Sequence, residues 1–380
     1  MSEWKETTLG DVINLKRGYD LPESQRLEGS IPIYSSSGIS GFHNSCKSLS
    51  PGVITGRYGT IGKVFISNTP FWPLNTTLYV QDFKGNNEVF IYYFLNKIDW
   101  TKFNDKSAVP GVNRNDLHQE DVLLPPLAEQ KKIANILSCL DAKIDNLRRQ
   151  NETLEEIARS IFKHWFIDFE FPNADGKPYK SSGGAMVRSE LGDIPEGWQV
   201  GKLSDEFEII MGQSPAGASF NEDKQGMIFF QGRTDFGFRF PTVRLYTTEP
   251  KRIAEKFDVL VSVRAPVGDI NVATDKCCIG RGLAAVRNNY KSYCLHKLKS
   301  YRKFFDVFES EGTVFGSLNK QNFNDLASII PMDKVIRQFE DIVKTSDSKF
   351  YSNDLQIQTL TKTRDALLPK LMSGQLRVKE

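Results

Sequence analysis

The stretch IANILSCLDAKIDNLRRQNETLEEIARSIFKHW, residues 133–165, decides the helical part of the fold. Apolar residues recur along it at alternating spacings of four and three, beginning with Ile133, Leu137, Leu140 and Ile144. Such a sustained heptad pattern is typical of coiled-coil helices, whose apolar stripe packs against a partner helix. A helix that only covers a domain surface tends to follow a 3.6-residue period. The stretch therefore predicts a long helix paired with a second one.

A second copy of this pattern follows 206 residues later, in the last part of the chain. The positions expected to pair the two helices are Ile133, Leu137, Leu140, Ile144, Leu147, Asn151, Leu154, Ala158, Ile161 and Trp165 in the first copy, and Phe339, Val343, Ser346, Phe350, Asn353, Ile357, Leu360, Arg364, Leu367 and Leu371 in the second. A polar residue in such a seam fixes the register at a cost in stability. The alternative is that each helix packs only on its own domain. We favour antiparallel pairing, because it needs only short connections.

The strand-rich regions that precede the two helices are also duplicated. GVITGRYGTIGKVFI (52–66) aligns with DVLVSVRAPVGDINV (258–272), again at an offset of 206. EWKETTLGDVINLKRG (3–18) aligns with GWQVGKLSDEFEIIMG (197–212) at an offset of 194. The second copy has therefore gained about a dozen residues between these points, and loops absorb such insertions at little cost.

These patterns predict an α+β fold, in which two pseudo-twofold-related strand-rich domains are separated by two long antiparallel coiled-coil helices. Short β-branched and aromatic runs between Gly, Pro, Asn and Ser turns indicate the strands. The expected divisions are a first strand-rich domain at 1–125, a helical spacer at 126–168, a surface linker at 169–197, a second strand-rich domain at 198–332 and a C-terminal helical spacer at 333–380. About 39 helical residues give a rod of roughly 58 Å, the length of about 17 base pairs of DNA.

Composition excludes several classes of protein. The 380 residues are 39% hydrophobic and 25% charged, which is ordinary for a globular protein. The stretch MSEWKETTLGD has no apolar core of the signal-peptide kind and the sequence has no long uncharged apolar run, so we expect a cytoplasmic protein without membrane contact. The five cysteines lack paired C-x-x-C spacing, which favours free thiols, mostly buried, over disulfides or zinc. A net charge of +2 gives no global signature of nucleic-acid binding, although locally clustered Lys and Arg can still bind phosphate.

The most enzyme-like string is TGRYGTIGKV, residues 55–64, which is similar to a phosphate-binding loop. That loop needs four residues between its first glycine and the Gly-Lys pair, followed by Ser or Thr. Here five residues separate Gly56 from Gly62, and Val64 follows Lys63. The four histidines and the acidic residues show no spacing suited to a metal or a catalytic triad. We therefore predict a turn between two strands, anchored by Gly62 or by its counterpart Gly268, and no catalytic or metal site in the chain.

Several motifs together resemble the specificity subunits of type I restriction-modification systems. They are the W-x4-L-G-D opening at Trp4 and its echo at Trp198, IPIYSSSGISGFH (31–43), the GTIGKV and SVRAPVGDI pair, LPPLAEQKKIANILSCLDAKIDNL (124–147), DGKPYKSSGGAMVRSELGDIPEGW (175–198) and LLPKLMSGQLRV (367–378). The resemblance covers essentially the whole chain. It implies that the strand-rich domains are target recognition domains, each reading one half of a bipartite double-stranded DNA target.

The resemblance also implies partners and cofactors. The helices would set the spacing between half-sites and dock two modification (methyltransferase) subunits, and restriction (endonuclease/translocase) subunits would join the complex. The chain would be no enzyme by itself and would bind no cofactor, whereas S-adenosylmethionine, ATP and magnesium would belong to the partners. Two alternatives remain open: a stand-alone DNA-binding repeat or coiled-coil scaffold without a methyltransferase, and an enzyme that uses residues 55–64.

Side chains that can read DNA bases lie at matching loop positions of the two halves. Arg and Lys pair with guanine and Asn and Gln with adenine, while Ser and Thr make shorter contacts. The candidates are Ser35, Ser36, Ser37, Arg57, Tyr58, Thr60, Lys63, Asn75, Asn113 and Arg114 in the first half, and Gln231, Arg233, Thr234, Arg264, Arg281, Ser317, Asn319 and Lys320 in the second. The alternative for each is an ordinary solvated loop residue.

Other segments have two open interpretations. One such segment is the stretch 233–244, in which Arg233, Arg239 and Arg244 are interleaved with Phe236, Phe238 and Phe240; it could meet phosphate and bases or could simply alternate along an edge strand. The basic run 291–303 could contact phosphate or be a solvated helix face. Surfaces around Glu129 and Gln130, around Phe162, Trp165 and Phe166, and along 367–371 could dock the modification subunits or pack on their own domain.

Overall fold

The computed structural model describes residues 3–103, 111–310 and 317–378, and for residues 307–310 it describes the backbone. The chain divides into two compact units. The first unit comprises Met1–Arg148 and Asp354–Glu380, and the second comprises Arg149–Asn353. Each unit combines strands with helices, so the predicted α+β class is confirmed.

Among its described residues, the first unit contains three small sheets, three shorter α-helices and parts of two long ones. Its elements are β1 (Lys5–Thr8), α1 (Leu9–Val12), β2 (Asn14–Arg17), β3 (Ile31–Ser35), β4 (Gly38–His43), β5 (Gly52–Gly56), β6 (Val64–Ser67), β7 (Trp72–Pro73), β8 (Thr77–Asp82), α2 (Glu88–Lys97), α3 (Arg114–His118), β9 (Asp121–Leu124), the part of α4 (Leu127–Phe162) up to Arg148 and the part of α9 (Asp333–Met372) from Asp354. The sheet orders are β2-β8-β5-β6, β4-β3-β7 and β1-β9. All residues of β5, one of the two central strands, are buried, as expected for a short continuous apolar run.

The second unit begins with the remainder of α4, from Arg149, and repeats this plan after a π-helical turn at Lys163–Ile167. Its elements are β10 (Met186–Ser189), β11 (Gly192–Pro195), β12 (Gln199–Lys202), α5 (Leu203–Glu206), β13 (Glu208–Met211), β14 (Phe220–Asn221), β15 (Met227–Phe230), β16 (Leu245–Thr247), β17 (Ile253–Ala254), β18 (Val259–Ser262), β19 (Ile270–Val272), β20 (Cys277–Ile279), β21 (Leu283–Arg287), α6 (Lys291–Ser300), α7 (Arg302–Ser310), α8 (Lys320–Asn324), β22 (Ala327–Ile330) and the part of α9 (Asp333–Met372) up to Asn353. The segment predicted as a linker contains the β10-β11 hairpin.

Two of the three sheets of the first unit have a counterpart in the second unit that matches strand by strand, as the sequence duplication predicts. The four-stranded sheet β13-β21-β18-β19 and the pair β12-β22 repeat β2-β8-β5-β6 and β1-β9. The remaining sheet differs, since β14-β16-β15-β20-β17 has two strands more than β4-β3-β7. The connection from β3 to β4 consists of Ser36 and Ser37, whereas the connection from β15 to β16 runs over 231–244. Most of the residues gained by the second copy therefore lie in this one connection.

The long helices α4 and α9 run antiparallel within each unit. In the first unit Asp141 binds Arg364 at 2.7 Å, and Ile133 and Leu137, which precede Asp141, share a core with Leu371, which follows Arg364. In the second unit the Nδ2 atom of Asn353 donates to Oδ1 of Asn151 at 2.9 Å, while Glu155 and Asp347 bind one arginine. Every residue of the predicted seam is buried or half-buried. Continuous burial at heptad positions is what a paired helix requires.

Two further expectations concern the whole chain. All five cysteines are free; Cys277, Cys278 and Cys294 are buried, Cys46 is half-buried and Cys139 is exposed. Within the described ranges, no helix combines the length and the apolar character needed to cross a membrane.

Candidate nucleic-acid interface

Three loops of the first unit converge at one end of the central strands β5 and β8 of its four-stranded sheet. The backbone N–H of Arg57 donates to the carbonyl of Thr76 at 2.8 Å, and the N–H of Val112 donates to the carbonyl of Arg57 at 2.9 Å. An isolated bridge joins Tyr58 to Gly111. We call residues 57–58, 75–76 and 111–114 the first loop cluster. Their main chains fix the position of the side chains that project from them.

Positive and aromatic groups line a cleft of about 510 Å³ at this cluster. The guanidinium of Arg57 lies over the ring of Tyr58, 4.5 Å from its centroid, and Arg114 and Arg17 complete the charged part of the lining. Arginine is suited to bidentate pairing with phosphate or with the O6 and N7 acceptors of guanine. The sequence motifs singled out Arg57, Tyr58 and Arg114, but not Arg17, whose counterpart at the offset of 194 is Met211.

The other predicted residues of the first unit lie around this cluster. Ser36 adjoins the β5–β6 connection, since its Oγ lies 3.5 Å from the place that a Cβ on Gly59 would occupy. Thr60 and Lys63 belong to that connection, and Lys63 is exposed. The hydroxyl of Ser35 bonds within its own turn, to Ser37 and to the carbonyl of Gly38, both at 3.0 Å. The amide of Asn75 donates to Asp20, which also pairs with Arg17 at 3.5 Å.

The second unit repeats the convergence at an offset of 206 residues. The N–H of Val263 donates to the carbonyl of Gly282, the N–H of Leu318 donates to the carbonyl of Val263, both at 2.9 Å, and an isolated bridge joins Arg264 to Ser317. We call residues 263–264, 281–282 and 317–320 the second loop cluster. It contains the predicted residues Arg264, Arg281, Ser317, Asn319 and Lys320, all of them exposed.

The long connection 231–244 lies against the second loop cluster. A Cβ placed on Gly280 or Gly282 would come within 2.8 or 3.0 Å of the carbonyl oxygen of Gln231. Glycine at these two positions therefore allows the backbones to approach closely. Gln231, Arg233 and Thr234 follow at the start of the connection, where Arg233–Asp235 forms a 3₁₀ turn. The structure thus brings these three predicted residues to the second loop cluster.

Two of the predicted base-reading residues have a structural role in addition. The Oδ1 atom of Asn113 accepts from the N–H of Asn115 at 3.0 Å and caps α3, and Oδ1 of Asn319 accepts from the N–H of Asn322 at 2.8 Å and caps α8. Capping satisfies backbone donors that the helix itself leaves without a partner. Only the amide nitrogens of these side chains remain for an acceptor on DNA.

The expectation that Arg239 could meet DNA is wrong. Its side chain is 3% exposed, forms ion pairs with Glu155 and Asp347, and stacks on Phe350 with its Cζ atom 4.0 Å from the ring centroid. Burial alone would raise the pKa of Glu155, but the charges of Lys299 and Arg239 outweigh it and lower the pKa to about 2. Arg239 therefore anchors the connection 231–244 to the helices of its own unit.

Within the basic run 291–303, the lysines of α6 likewise do not form a phosphate-binding helix face. Lys291 binds the buried carboxylate of Asp258 at 3.1 Å, and Lys297, itself buried, donates to the carbonyl of Ile329 at 2.7 Å. Lys299 pairs with Glu155. Since α6 lies in the core, its lysines are engaged by internal acceptors.

The aromatic helix end and the Glu129-Gln130 pair also pack within their own units. Phe162, Trp165 and Phe166 belong to the core of the second unit. Glu129 accepts from the indole Nε1 of Trp4 at 3.0 Å, and Gln130 is 1% exposed. These residues are therefore not available as a docking surface.

No grouping of side chains resembles a metal site within the described parts of the chain. His43 and His118 accept from the backbone N–H groups of Leu27 and Leu15, each at 3.0 Å. His296 is buried in the core of the second unit, and burial lowers its pKa to about 4.

The turn predicted from TGRYGTIGKV is present in both units. Gly62 and Gly268 have φ values of +85° and +84°, which favour glycine. A Cβ on Gly62 would approach Trp100 to 3.2 Å, and one on Gly268 would approach Phe305 to 2.3 Å. The two glycines therefore form equivalent turns, and each lies close to an aromatic side chain.

Comparison with known proteins agrees with these features. Residues 1–156 match the family described as type I restriction modification DNA specificity domain. The chain is 34% identical over 285 residues to the putative type I restriction enzyme MjaX specificity subunit of Methanocaldococcus jannaschii, covering 73% of this chain and 65% of that protein. It is 29% identical over 292 residues to the type I restriction enzyme MjaIX specificity subunit of the same organism, covering 72% and 65%. The match thus spans 65% of the length of each relative.

The fold is also shared with a solved structure. The type I restriction-modification system S subunit from M. genitalium superposes with a TM-score of 0.66 over 97% of this chain and 96% of that chain. The sequence identity is 18%, so this similarity concerns the fold.

Proposed function

We propose that this chain, which belongs to the family of type I restriction-modification specificity subunits, selects the DNA sequence on which a modification enzyme acts. Each unit would read one half of a bipartite target in double-stranded DNA, and α4 and α9 would set the spacing between the halves. The observation that carries this proposal is the duplicated loop cluster. The same backbone contacts occur at an offset of 206 residues, but they present different side chains.

The chemistry of the two clusters supports reading of two different sequences. The first presents Arg57, Tyr58 and Arg114, and the second presents Arg264, Arg281 and Lys320. Arginine pairs bidentately with guanine, and each such pair contributes about 1–3 kcal/mol of discrimination. A conserved scaffold with exchanged side chains would change the sequence that is read without changing the loop geometry.

The partners and cofactors belong to the same proposal. Two modification subunits would supply methyl transfer from S-adenosylmethionine, and restriction subunits would supply ATP- and magnesium-dependent cleavage. This chain would contribute recognition only and bind none of these cofactors. The names of the relatives as specificity subunits support this division of labour.

The proposal is tested by sequencing the methylome of cells that contain the modification subunits with and without this chain. We expect one interrupted motif to be methylated only when the chain is present. Exchange of residues 1–125 for those of another family member should change only one half of that motif. If both halves change, the assignment of one unit to each half-site is wrong.

Point variants sharpen the assignment. Arg57→Ala should relax one base pair in the half read by the first unit, and Arg264→Ala one base pair in the other half, each by about 1–3 kcal/mol. Each variant serves as the control for the other. Binding of a bipartite duplex by the chain alone, with no change in methylation, would instead indicate a stand-alone DNA-binding protein.

A further inference from the structure

One carboxylate of the second unit binds two arginines that come from separate elements. The Oδ2 atom of Asp269 accepts from the Nε of Arg233, in the connection 231–244, and Oδ1 accepts from Nη1 of Arg302, at the start of α7, at 2.8 Å. The side chains of the two arginines are 57% and 47% exposed, and that of Asp269 is 25% exposed. The three groups therefore form a charged assembly at the surface, open to a ligand.

Asp269 itself is held firmly by the turn between β18 and β19. Its N–H donates to Oγ of Ser262 at 2.9 Å, and its carbonyl accepts from the N–H of Ser262 at 2.9 Å. Gly268, the turn glycine shared by both copies, precedes it. The carboxylate thus projects from a rigid point, while both arginines reach towards it. A fixed carboxylate that binds a flexible guanidinium reduces the number of orientations which the guanidinium can adopt.

The binding of two arginines by Asp269 occurs in the unit that has the longer connection, residues 231–244. The residue that corresponds to Asp269 in the first unit is Lys63, at the offset of 206. The first unit has only Ser36 and Ser37 where the second has the connection 231–244 that carries Arg233. At this position the first unit provides a cation directly. The second unit provides an anion instead, which binds cations from two other segments.

We propose that Asp269 is a positioning residue that orients Arg233 to read a guanine in the half-site recognised by the second unit. Asp269 takes the Nε side of the guanidinium, so the paired Nη1 and Nη2 nitrogens are left for a planar pair of acceptors. The O6 and N7 atoms of guanine form such a pair. Arg302 binds the other oxygen of the same carboxylate and also pairs through its Nε with Asp306 at 2.9 Å, so Asp269 is held between two guanidinium groups. This inference rests on the proposed function and assigns a base-reading group to it.

A backbone phosphate also offers paired acceptors, so the ligand is to be distinguished by experiment. A guanine contact changes sequence discrimination, whereas a phosphate contact changes affinity for all sequences alike. Removal of the negative charge of Asp269 separates these effects further. It makes the site more positive, which favours any DNA, but it releases Arg233 from its fixed orientation, which weakens only the reading of a base.

The test uses the full chain in complex with its modification subunits, compared as wild type, Asp269→Asn and Asp275→Asn. Asp275 is an exposed carboxylate of the same unit with no arginine bound to it among the described residues, so its variant removes the same charge. We expect Asp269→Asn to relax one guanine position of one half-site about five- to hundredfold. The other half-site should be unchanged, and binding to non-cognate duplex should be equal to or tighter than that of the wild type. Asp275→Asn should keep the full motif.

Arg233 variants provide a second readout that does not depend on the turn. Arg233→Ala should relax the same guanine position, and Arg233→Lys should not restore it, because lysine has a point charge rather than a planar fork. Equal weakening on all sequences by Arg233→Ala would show a phosphate contact and overturn the proposal. So would an Asp269→Asn variant that keeps the full motif, as Asp275→Asn does. A wild-type complex that methylates no bipartite motif would instead overturn the proposed function.

Discussion

Replacement of Glu155 by Gln should destabilise the second unit more than any single surface ion pair could. The carboxylate of Glu155 binds Arg239 through its Nε at 3.0 Å and its Nη2, and it also binds Lys299. The side chain of Glu155 is 15% exposed and that of Arg239 is 3% exposed. Gln keeps the shape of the side chain but removes the charge. Arg239 would then remain buried with Asp347 as its remaining carboxylate partner, and the half-buried Lys299 would lose its partner Glu155.

The size of the effect follows from the pKa of Glu155. Although burial raises it, Lys299 and Arg239 lower it from the ordinary value of 4.5 to about 2. A difference of about 2.5 units corresponds to about 3 kcal/mol of stability at neutral pH. Burial lowers the pKa of Lys299, so dehydration of that lysine offsets part of the gain from pairing. Removal of one partner from a buried ion pair typically costs about 3–5 kcal/mol, since the other charge stays buried. We therefore expect a loss of about 3 kcal/mol for Glu155→Gln at pH 7.

Urea unfolding at pH 7 and at lower pH checks this expectation. Because the pKa of Glu155 is lower in the folded state, its stabilisation is complete above pH 4.5 and is lost as the pH falls towards 2. The wild type and Glu155→Gln should therefore converge in stability as the medium is acidified. Glu156→Gln is the matched control, because Glu156 belongs to an exposed pair with Arg159 and should cost under about 1 kcal/mol. A loss below 1 kcal/mol for Glu155→Gln at pH 7 would refute the reasoning, since the buried pairs would then contribute no more than a surface pair.

Three further predictions concern other buried positions. Burial lowers the pKa of His296 to about 4. The free energy of unfolding of the wild type should therefore fall by about 3 kcal/mol as the pH falls from 6.5 to 4. In urea unfolding, His296→Leu should make stability less dependent on pH over this range. Asn151→Leu should cost about 1–3 kcal/mol by leaving the amide of Asn353 without its seam partner, while replacement of both by Leu should be nearly neutral in thermal unfolding. Gly62→Ala and Gly268→Ala should each cost about 1 kcal/mol of stability because of the positive φ. Gly268→Ala should cost more, because its new Cβ would meet the side chain of Phe305 in α7 at 2.3 Å. Equal melting temperatures of the two variants would contradict this.

The fold could be predicted largely from two patterns in the sequence. The heptad seam indicated the long helices, because apolar residues at alternating spacings of three and four can be recognised in a sequence without knowing the partner helix. The duplication then indicated that whatever the first half forms, the second forms again. Even the insertion was visible as the change of offset from 194 to 206. The location of the insertion could not be predicted, because alignment of the two copies alone does not show which strands the gained residues connect.

The candidate interface was predictable at the level of loops but not of side-chain partners. Arg57, Tyr58 and Arg264 were found because they flank a turn glycine that occurs in both copies. Arg17 was missed because its position in the other copy is Met211. Whether a basic side chain faces solvent depends on acceptors that lie far along the chain. Lys299, for example, is engaged by Glu155, which is 144 positions away.

The connection 231–244 shows why the number of basic residues is a poor guide to a DNA-binding surface. It carries three arginines, each bound to a carboxylate. The position of that carboxylate decides whether the guanidinium can still contact DNA. Arg239 meets Glu155 and Asp347 of the long helices and is removed from solvent. Arg244 binds Asp235, whose side chain is 2% exposed, through both its Nε and Nη2 atoms. Only Arg233 binds through Nε to a carboxylate at the surface, so its planar fork can still meet a pair of acceptors on DNA.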